Sequence, residues 1–106
     1  MPGPEMRVHE WLKTKVKALA YPAYMFKPPA GAYGKKGTPD FFVCLLGEFC
    51  AIEVKADPTR EVTPMQKETL RKIREAGGHT LELYGKDQEA VIKFFHEVIT
   101  HALTKE

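Results

Sequence analysis

The sequence predicts a small α/β domain: a mixed sheet of four strands with helices on both faces. Three observations lead there. Long stretches of helical periodicity stand at the two ends of the chain, short apolar runs broken by Gly and Pro fill the middle, and the second half alternates strand, helix, strand. A crossover of that last kind requires at least one parallel pair, and its helix must lie on a face of the sheet.

The first helix is expected from near Glu5 to about Ala20. Val8, Trp11, Leu12, Val16 and Leu19 recur on one side, with Glu10, Lys13 and Lys17 opposite. Glu5 falls by angle on the apolar side, where it either answers the partial charge of the helix start or aims a carboxylate into a site. Pro22 should end this helix. Ala23 to Lys27 reads as a short aromatic strand stopped by Pro28-Pro29, and residues 30–37 as a glycine-rich basic loop suited to approaching a phosphate backbone. Phe41 to Leu46 and Phe49 to Ala56 read as a hairpin turning at Gly47-Glu48. Asp57-Pro58-Thr59-Arg60 is a turn. Thr63-Pro64-Met65-Gln66 is a helix start with a capping box and Pro at the first position, followed by a thin stripe of Met65, Leu70, Ile73 and Ala76 that Gly77-Gly78 closes. His79 to Tyr84 supplies the fourth strand. The last helix, from about Asp87 to Leu103, rests on Val91, Phe94, Phe95, Val98, Ile99 and Ala102.

Composition sets the frame. With 106 residues, the chain suffices for one core, so residues 1–106 are expected to form a single domain. Apolar residues at 43% and charged residues at 28% are ordinary for a globular protein, and a net charge of +2 permits a nucleic-acid partner without demanding one. No apolar run is long enough for a bilayer, and the first residues lack the layout of a secretory leader, so a cytoplasmic location, in a bacterium or a phage-infected cell, is expected. Cys44 and Cys50 lie in strand-like runs without zinc spacing and are expected to be buried free thiols. His9, His79, His96 and His101 show no metal spacing and are expected at surfaces or interfaces.

The chemistry concentrates in the hairpin. A turn at Gly47-Glu48 pairs Phe41 with Val54, Val43 with Ile52 and Leu45 with Cys50, giving one wholly apolar face. On the other face Asp40 sits across from Lys55 and Phe42 across from Glu53, so Asp40, Glu53 and Lys55 share a side. A one-residue change in the turn would send Asp40 to the wrong face. A surface ion pair would use the same residue types, but here Glu53 and Lys55 interrupt apolar runs, and partly buried charges need a reason. Two carboxylates, with the Val54 carbonyl as a third oxygen, suit Mg²⁺ or Mn²⁺, and an ammonium beside them can orient a water or stabilise charge on phosphorus. Those are the requirements for metal-assisted hydrolysis of a phosphodiester.

The succession Gly37-Thr38-Pro39-Asp40-Phe41, Ile52-Glu53-Val54-Lys55-Ala56, Thr63-Pro64-Met65-Gln66 and Ala76-Gly77-Gly78 resembles the VRR-NUC family of the PD-(D/E)xK nuclease superfamily. The resemblance runs from Glu5 to about Tyr84 and implies a restriction-endonuclease-like αβββαβ core, here with an added C-terminal helix. It assigns Asp40 and Glu53 as metal ligands, Lys55 as the catalytic lysine and Gln66 as the glutamine of the second helix. Glu5 is the best match for the first-helix acid, with Glu10 the less favoured substitute. Members that consist of the bare domain resemble resolvases of four-way DNA junctions and tend to be homodimers. This chain is expected to be such a bare domain, so a two-fold dimer cutting Holliday junctions is the leading expectation. The dimer surface would lie in the Tyr21 to Phe26 segment or the last helix.

Other readings remain open at this level. They are a flap or nicking nuclease that needs a partner, a catalytically silent nucleic-acid-binding domain of the same fold, and an α/β interaction module. Basic residues for DNA binding would be Lys27, Lys35, Lys36, Arg60 and Lys67, joined by Arg71 if binding were the sole function.

Overall fold

A computed structural model describes residues 3–29 and 36–105. Lys35 and most of the glycine-rich loop lie outside the described residues. The elements follow the expected order: α1 (Pro4–Lys17), β1 (Ala23–Phe26), β2 (Phe41–Leu45), β3 (Glu48–Lys55), α2 (Pro64–Glu75), β4 (His79–Tyr84) and α3 (Gln88–Thr104).

The four strands lie in the order β1-β2-β3-β4. The β1–β2 and β2–β3 pairs are antiparallel, while β3 and β4 are parallel, joined by the α2 crossover. Side chains alternate across the sheet. One face carries Phe41, Val43, Leu45, Cys50, Ile52, Val54 and Leu83, which form the core with Val8, Leu12 and Val16 of α1 and Val91, Phe94, Phe95 and Val98 of α3. The opposite face carries Ala51 and Glu53 and receives α2 over its β3–β4 half. Toward β1 and at the start of β3 that face is bare: Tyr24, Phe26 and Phe49 are exposed there.

Several expectations need correction. α1 stops at Lys17, not Ala20. Ala18 caps it, and Leu19 turns inward with its N–H bonded to the Val16 carbonyl, so the chain leaves the helix before the conformational restriction imposed by Pro22. The hairpin turns at Leu46-Gly47, with Phe41 opposite Ile52 and Leu45 opposite Glu48. Leu46 (φ 53°) and Gly47 (φ 79°) both take the left-handed conformation of a type I′ turn, whose twist matches that of the strands. The pairing is therefore two residues away from the expected one. A slip of two keeps every side chain on its face, so Asp40, Glu53 and Lys55 still share a side. One step beyond the observed register, Asp40 comes level with Glu53, not with Lys55.

In α2 the capping box is present as read: Thr63 Oγ1 accepts from Gln66 N–H, and Gln66 Oε1 accepts from Thr63 N–H. At the other end the Gly78 N–H reaches the Ile73 carbonyl and the Gly77 N–H the Arg74 carbonyl, the paired bonds of a Schellman close. The expected stripe is thinner than Met65, Leu70, Ile73 and Ala76. Leu70 is buried and Ile73 half-buried, but Met65 and Ala76 are exposed, because α2 lies over only part of the sheet. Cys50 is buried, whereas Cys44 is exposed on the bare half of that face, contrary to expectation. His9 is buried, against the expectation of a surface position.

Candidate functional site

Asp40 stands where the chain enters β2, and its approach is tightly held. Gly37 has φ 83°, and a Cβ there would lie 2.8 Å from the Met65 carbonyl oxygen, so the turn rests directly on the first residues of α2. Pro39 is buried behind it. Asp40 Oδ2 accepts the Val54 N–H at 2.8 Å, which extends the β2–β3 ladder by one side-chain bond. Val54 is thus engaged with Asp40 through its backbone amide.

Glu53 lies in the middle of this end of the sheet and is 2% exposed. Gln66 Nε2 donates to its Oε2 at 2.8 Å, and Lys55 Nζ lies 3.6 Å from the same oxygen. The other oxygen, Oε1, is buried and has no hydrogen-bond partner among the described residues. Burial pushes the Glu53 carboxyl up to about 8, the neighbouring Asp40 carboxylate adds to the rise, and Lys55 offsets part of it. Two carboxylates with one lysine leave this pocket short of positive charge. An orphaned buried carboxylate oxygen beside a second acid fits a divalent cation with oxygen ligands.

A second group approaches Asp40 from α1. His9 Nε2 lies 3.8 Å from Asp40 Oδ2 and 4.0 Å from Glu5 Oε2, and the imidazole packs edge-on against Phe41 with centroids 4.9 Å apart. Neither His9 nitrogen has a hydrogen-bond partner among the described residues. Burial lowers its pKa, with Asp40 pulling the other way, so the ring is neutral at pH 7 and retains a lone pair. Ligand atoms of Glu5, His9 and Asp40 all lie within 4.8 Å of one another. Glu10, by contrast, pairs with Lys13 at 3.2 Å. Of the two first-helix acids, Glu5 is therefore the one gathered with Asp40. His9 was missed in the sequence, although Glu5 and His9 stand four residues apart on one helix face.

The basic residues are dispersed around this centre. Lys36 is exposed. Lys27 Nζ sits 5.8 Å from the Phe41 ring centroid and 3.7 Å from Met6 Sδ. Arg60 borders a cleft with Pro4, Glu5, Lys55 and Ala56, and with Lys67 it borders a second cleft beside Tyr84. Arg71 is occupied on its own helix by Glu68 and Glu75, which removes it as a ready contact for phosphate.

A solved structure described as a "VRR_NUC domain" superposes on this chain with a TM-score of 0.70 and 25% sequence identity, covering 94% of this chain and 98% of the other. The chain has the fold of the VRR-NUC family. No protein-family model and no curated protein matches the sequence. The likeness to a VRR_NUC structure supports a nuclease-family domain, and the expected mixed sheet with a C-terminal helix is what this fold contains. Among the described residues no helix is long and apolar enough to cross a membrane.

Proposed function

We propose that this VRR-NUC-like chain is a divalent-metal-dependent endonuclease that hydrolyses phosphodiester bonds in branched DNA. The observation that carries the reading is the unpartnered, buried Oε1 of Glu53 beside Asp40, with Lys55 and Gln66 bound to the opposite oxygen. Asp40 and Glu53 would hold Mg²⁺ or Mn²⁺, with the Val54 carbonyl and Glu5 as further oxygen ligands. When bound, such an ion neutralises phosphate charge and acidifies a coordinated water. Lys55 places its ammonium at the rim of the same pocket, where it stabilises negative charge developing on the phosphoryl oxygens. Gln66 fixes the Glu53 carboxylate, and its own amide is fixed by Thr63. Arg60, Lys67, Lys36, Lys27 and Lys35 would hold the DNA backbone, with an affinity that falls as salt rises.

A homodimer acting on four-way junctions is the arrangement we favour, because two active centres related by a two-fold axis match a two-fold junction. The edge strand β1 and the exposed Tyr24, Phe26 and Phe49 support it, since they leave an apolar sheet face without cover.

The test is cleavage of a labelled four-way junction, compared with flap, splayed and duplex DNA, in Mg²⁺, in Mn²⁺ and in chelator. Paired symmetric nicks that require metal and vanish in Glu53→Ala and Lys55→Ala, while DNA binding persists, are the expected result. Cutting that survives both substitutions would overturn the assignment. Flap cutting alone would select the partner-dependent reading.

A further inference from the structure

β3 carries a second buried carboxylate at its opposite end. Glu48, its first residue, is 5% exposed. At about 3.3 Å per residue it lies roughly 16 Å from Glu53 along the strand, and it points to the other face of the sheet, the one covered by α1 and α3. Its Oε1 receives two imidazoles. His79 Nε2, from the first residue of β4, is 2.8 Å away, and His101 Nδ1, from the last turn of α3, is 2.7 Å away. The two rings stand nearly perpendicular, with centroids 5.2 Å apart. Lys105 Nζ holds the other oxygen, Oε2, at 2.5 Å. The nuclease reading uses none of these groups.

Two imidazole nitrogens and one carboxylate oxygen, delivered by three different elements, make a ligand set that borderline-soft ions take and that Mg²⁺ does not prefer. The three ligand atoms lie within 4.8 Å of one another. Zinc bonds of 2.0–2.1 Å place neighbouring tetrahedral ligands roughly 3.3 Å apart. The two nitrogens thus need to part from Oε1 by only about half an ångström, within the reach of small side-chain rotations. Each ring would then turn a lone pair toward the ion and keep its proton on the far nitrogen. The site is also accessible: Glu48, His101 and Lys105 border a cleft with Gly47 and Gly78, through which an ion arrives and a water fills the remaining position. Lys105 stays on Oε2 and leaves Oε1 for the metal.

We infer that Glu48, His79 and His101 form a transition-metal site of the zinc class, with three protein ligands and one position left to water, that joins the end of α3 to the start of β3 and β4. The site is independent of the nuclease reading. Its nitrogen ligands separate it chemically from the oxygen set at Asp40 and Glu53, so the two ends of the sheet select different ions.

The experiment uses tag-free full chain carrying Asp40→Asn and Glu53→Gln, which removes the other acidic centre. After chelator and dialysis the protein is titrated with Co²⁺. The expected result is one equivalent bound per chain, with visible bands of nitrogen-coordinated Co²⁺ that Zn²⁺ displaces and millimolar Mg²⁺ does not. Adding His79→Ala and His101→Asn should weaken binding at least a hundredfold, with circular dichroism unchanged. Absence of saturable binding, displacement by Mg²⁺, or unaltered affinity in the histidine variant would each overturn the site. If the histidine variant fails to fold, anomalous scattering from crystals of the wild-type chain with Zn²⁺ decides: a peak among Glu48, His79 and His101 supports the site, and a peak elsewhere or none overturns it.

Discussion

Gln66 joins Thr63 to Glu53. Its Oε1 accepts the Thr63 N–H at 2.9 Å while its Nε2 donates to Glu53 Oε2 at 2.8 Å, so one amide both starts α2 and aims the central carboxylate. Gln66→Ala should lose both functions. The cap is worth about 1 kcal/mol, and losing an orienting partner of a metal ligand costs roughly 10–100-fold in activity or metal affinity. Gln66→Glu keeps an acceptor for Thr63 but sets a carboxylate against Glu53. Unfolding measured in chelator and in Mg²⁺ should show Gln66→Glu regaining more stability from the metal than Gln66→Ala does.

The Glu53 carboxyl gives the metal-free protein a definite pH dependence. Its ordinary value of 4.5 is raised to about 8 in the folded chain. Between these values the unfolded chain has released a proton that the folded chain still holds, so stability falls as pH rises through that window and levels off above it. In chelator, the melting temperature of the wild-type chain should drop by several degrees relative to Glu53→Gln between pH 5 and pH 8. Saturating Mg²⁺ or Mn²⁺ should remove most of the drop, because the ion favours the ionised form. Parallel curves for the two proteins in chelator would show that Glu53 keeps its ordinary acidity.

Gly37 and Gly47 both sit at positive φ, but their surroundings differ. A Cβ at Gly37 would meet the Met65 carbonyl at 2.8 Å, whereas one at Gly47 meets nothing within 4 Å. Gly47→Ala should cost only the conformational penalty, about 1 kcal/mol, and leave DNA cleavage intact. Gly37→Ala should cost about 2 kcal/mol or more and depress cleavage as well, because the turn it distorts delivers Asp40. Denaturant unfolding together with initial cleavage rates separates the two.

The two thiols should behave differently. Burial pushes the Cys50 thiol up to about 12, with Glu48 adding to it, while Cys44 is exposed. In the native protein one thiol should react with an aromatic disulfide reagent at the rate of a free cysteine, and the second only after unfolding. Cys44→Ser should remove the fast phase. A fast phase that persists in Cys44→Ser would place Cys50 in contact with solvent.

Much of this was legible in the sequence, and the misses have physical causes. The two-residue period of a strand divides the side chains of Phe41 to Leu45 and Cys50 to Val54 between two faces, which is why Asp40, Glu53 and Lys55 could be placed on one side. The register was not determined by alternation, since a shift of two satisfies the same pattern, and Gly47 serves as either residue of a two-residue turn. In the observed register Glu48 opens β3, where it meets His79, His101 and Lys105, which are distant in sequence. The Glu48 cluster was unreadable for that reason: its members lie on three elements and share no spacing. Cys44 was misjudged because strand patterning does not show how far α2 extends across the sheet. His9 was within reach, because its four-residue spacing from Glu5 on the face of Val8 and Leu12 is a sequence feature.

An acid at each end of the central strand also bears on the order of folding. Glu48 is shielded only once the carboxy-terminal helix delivers His101 and Lys105, and Glu53 only once α2 delivers Gln66. A nascent hairpin of β2 and β3 would bear two carboxylates that water solvates better than the partly assembled interior does. Full burial of this strand therefore requires chain made afterwards, and a fragment ending before α3 is expected to keep one end of its sheet wet.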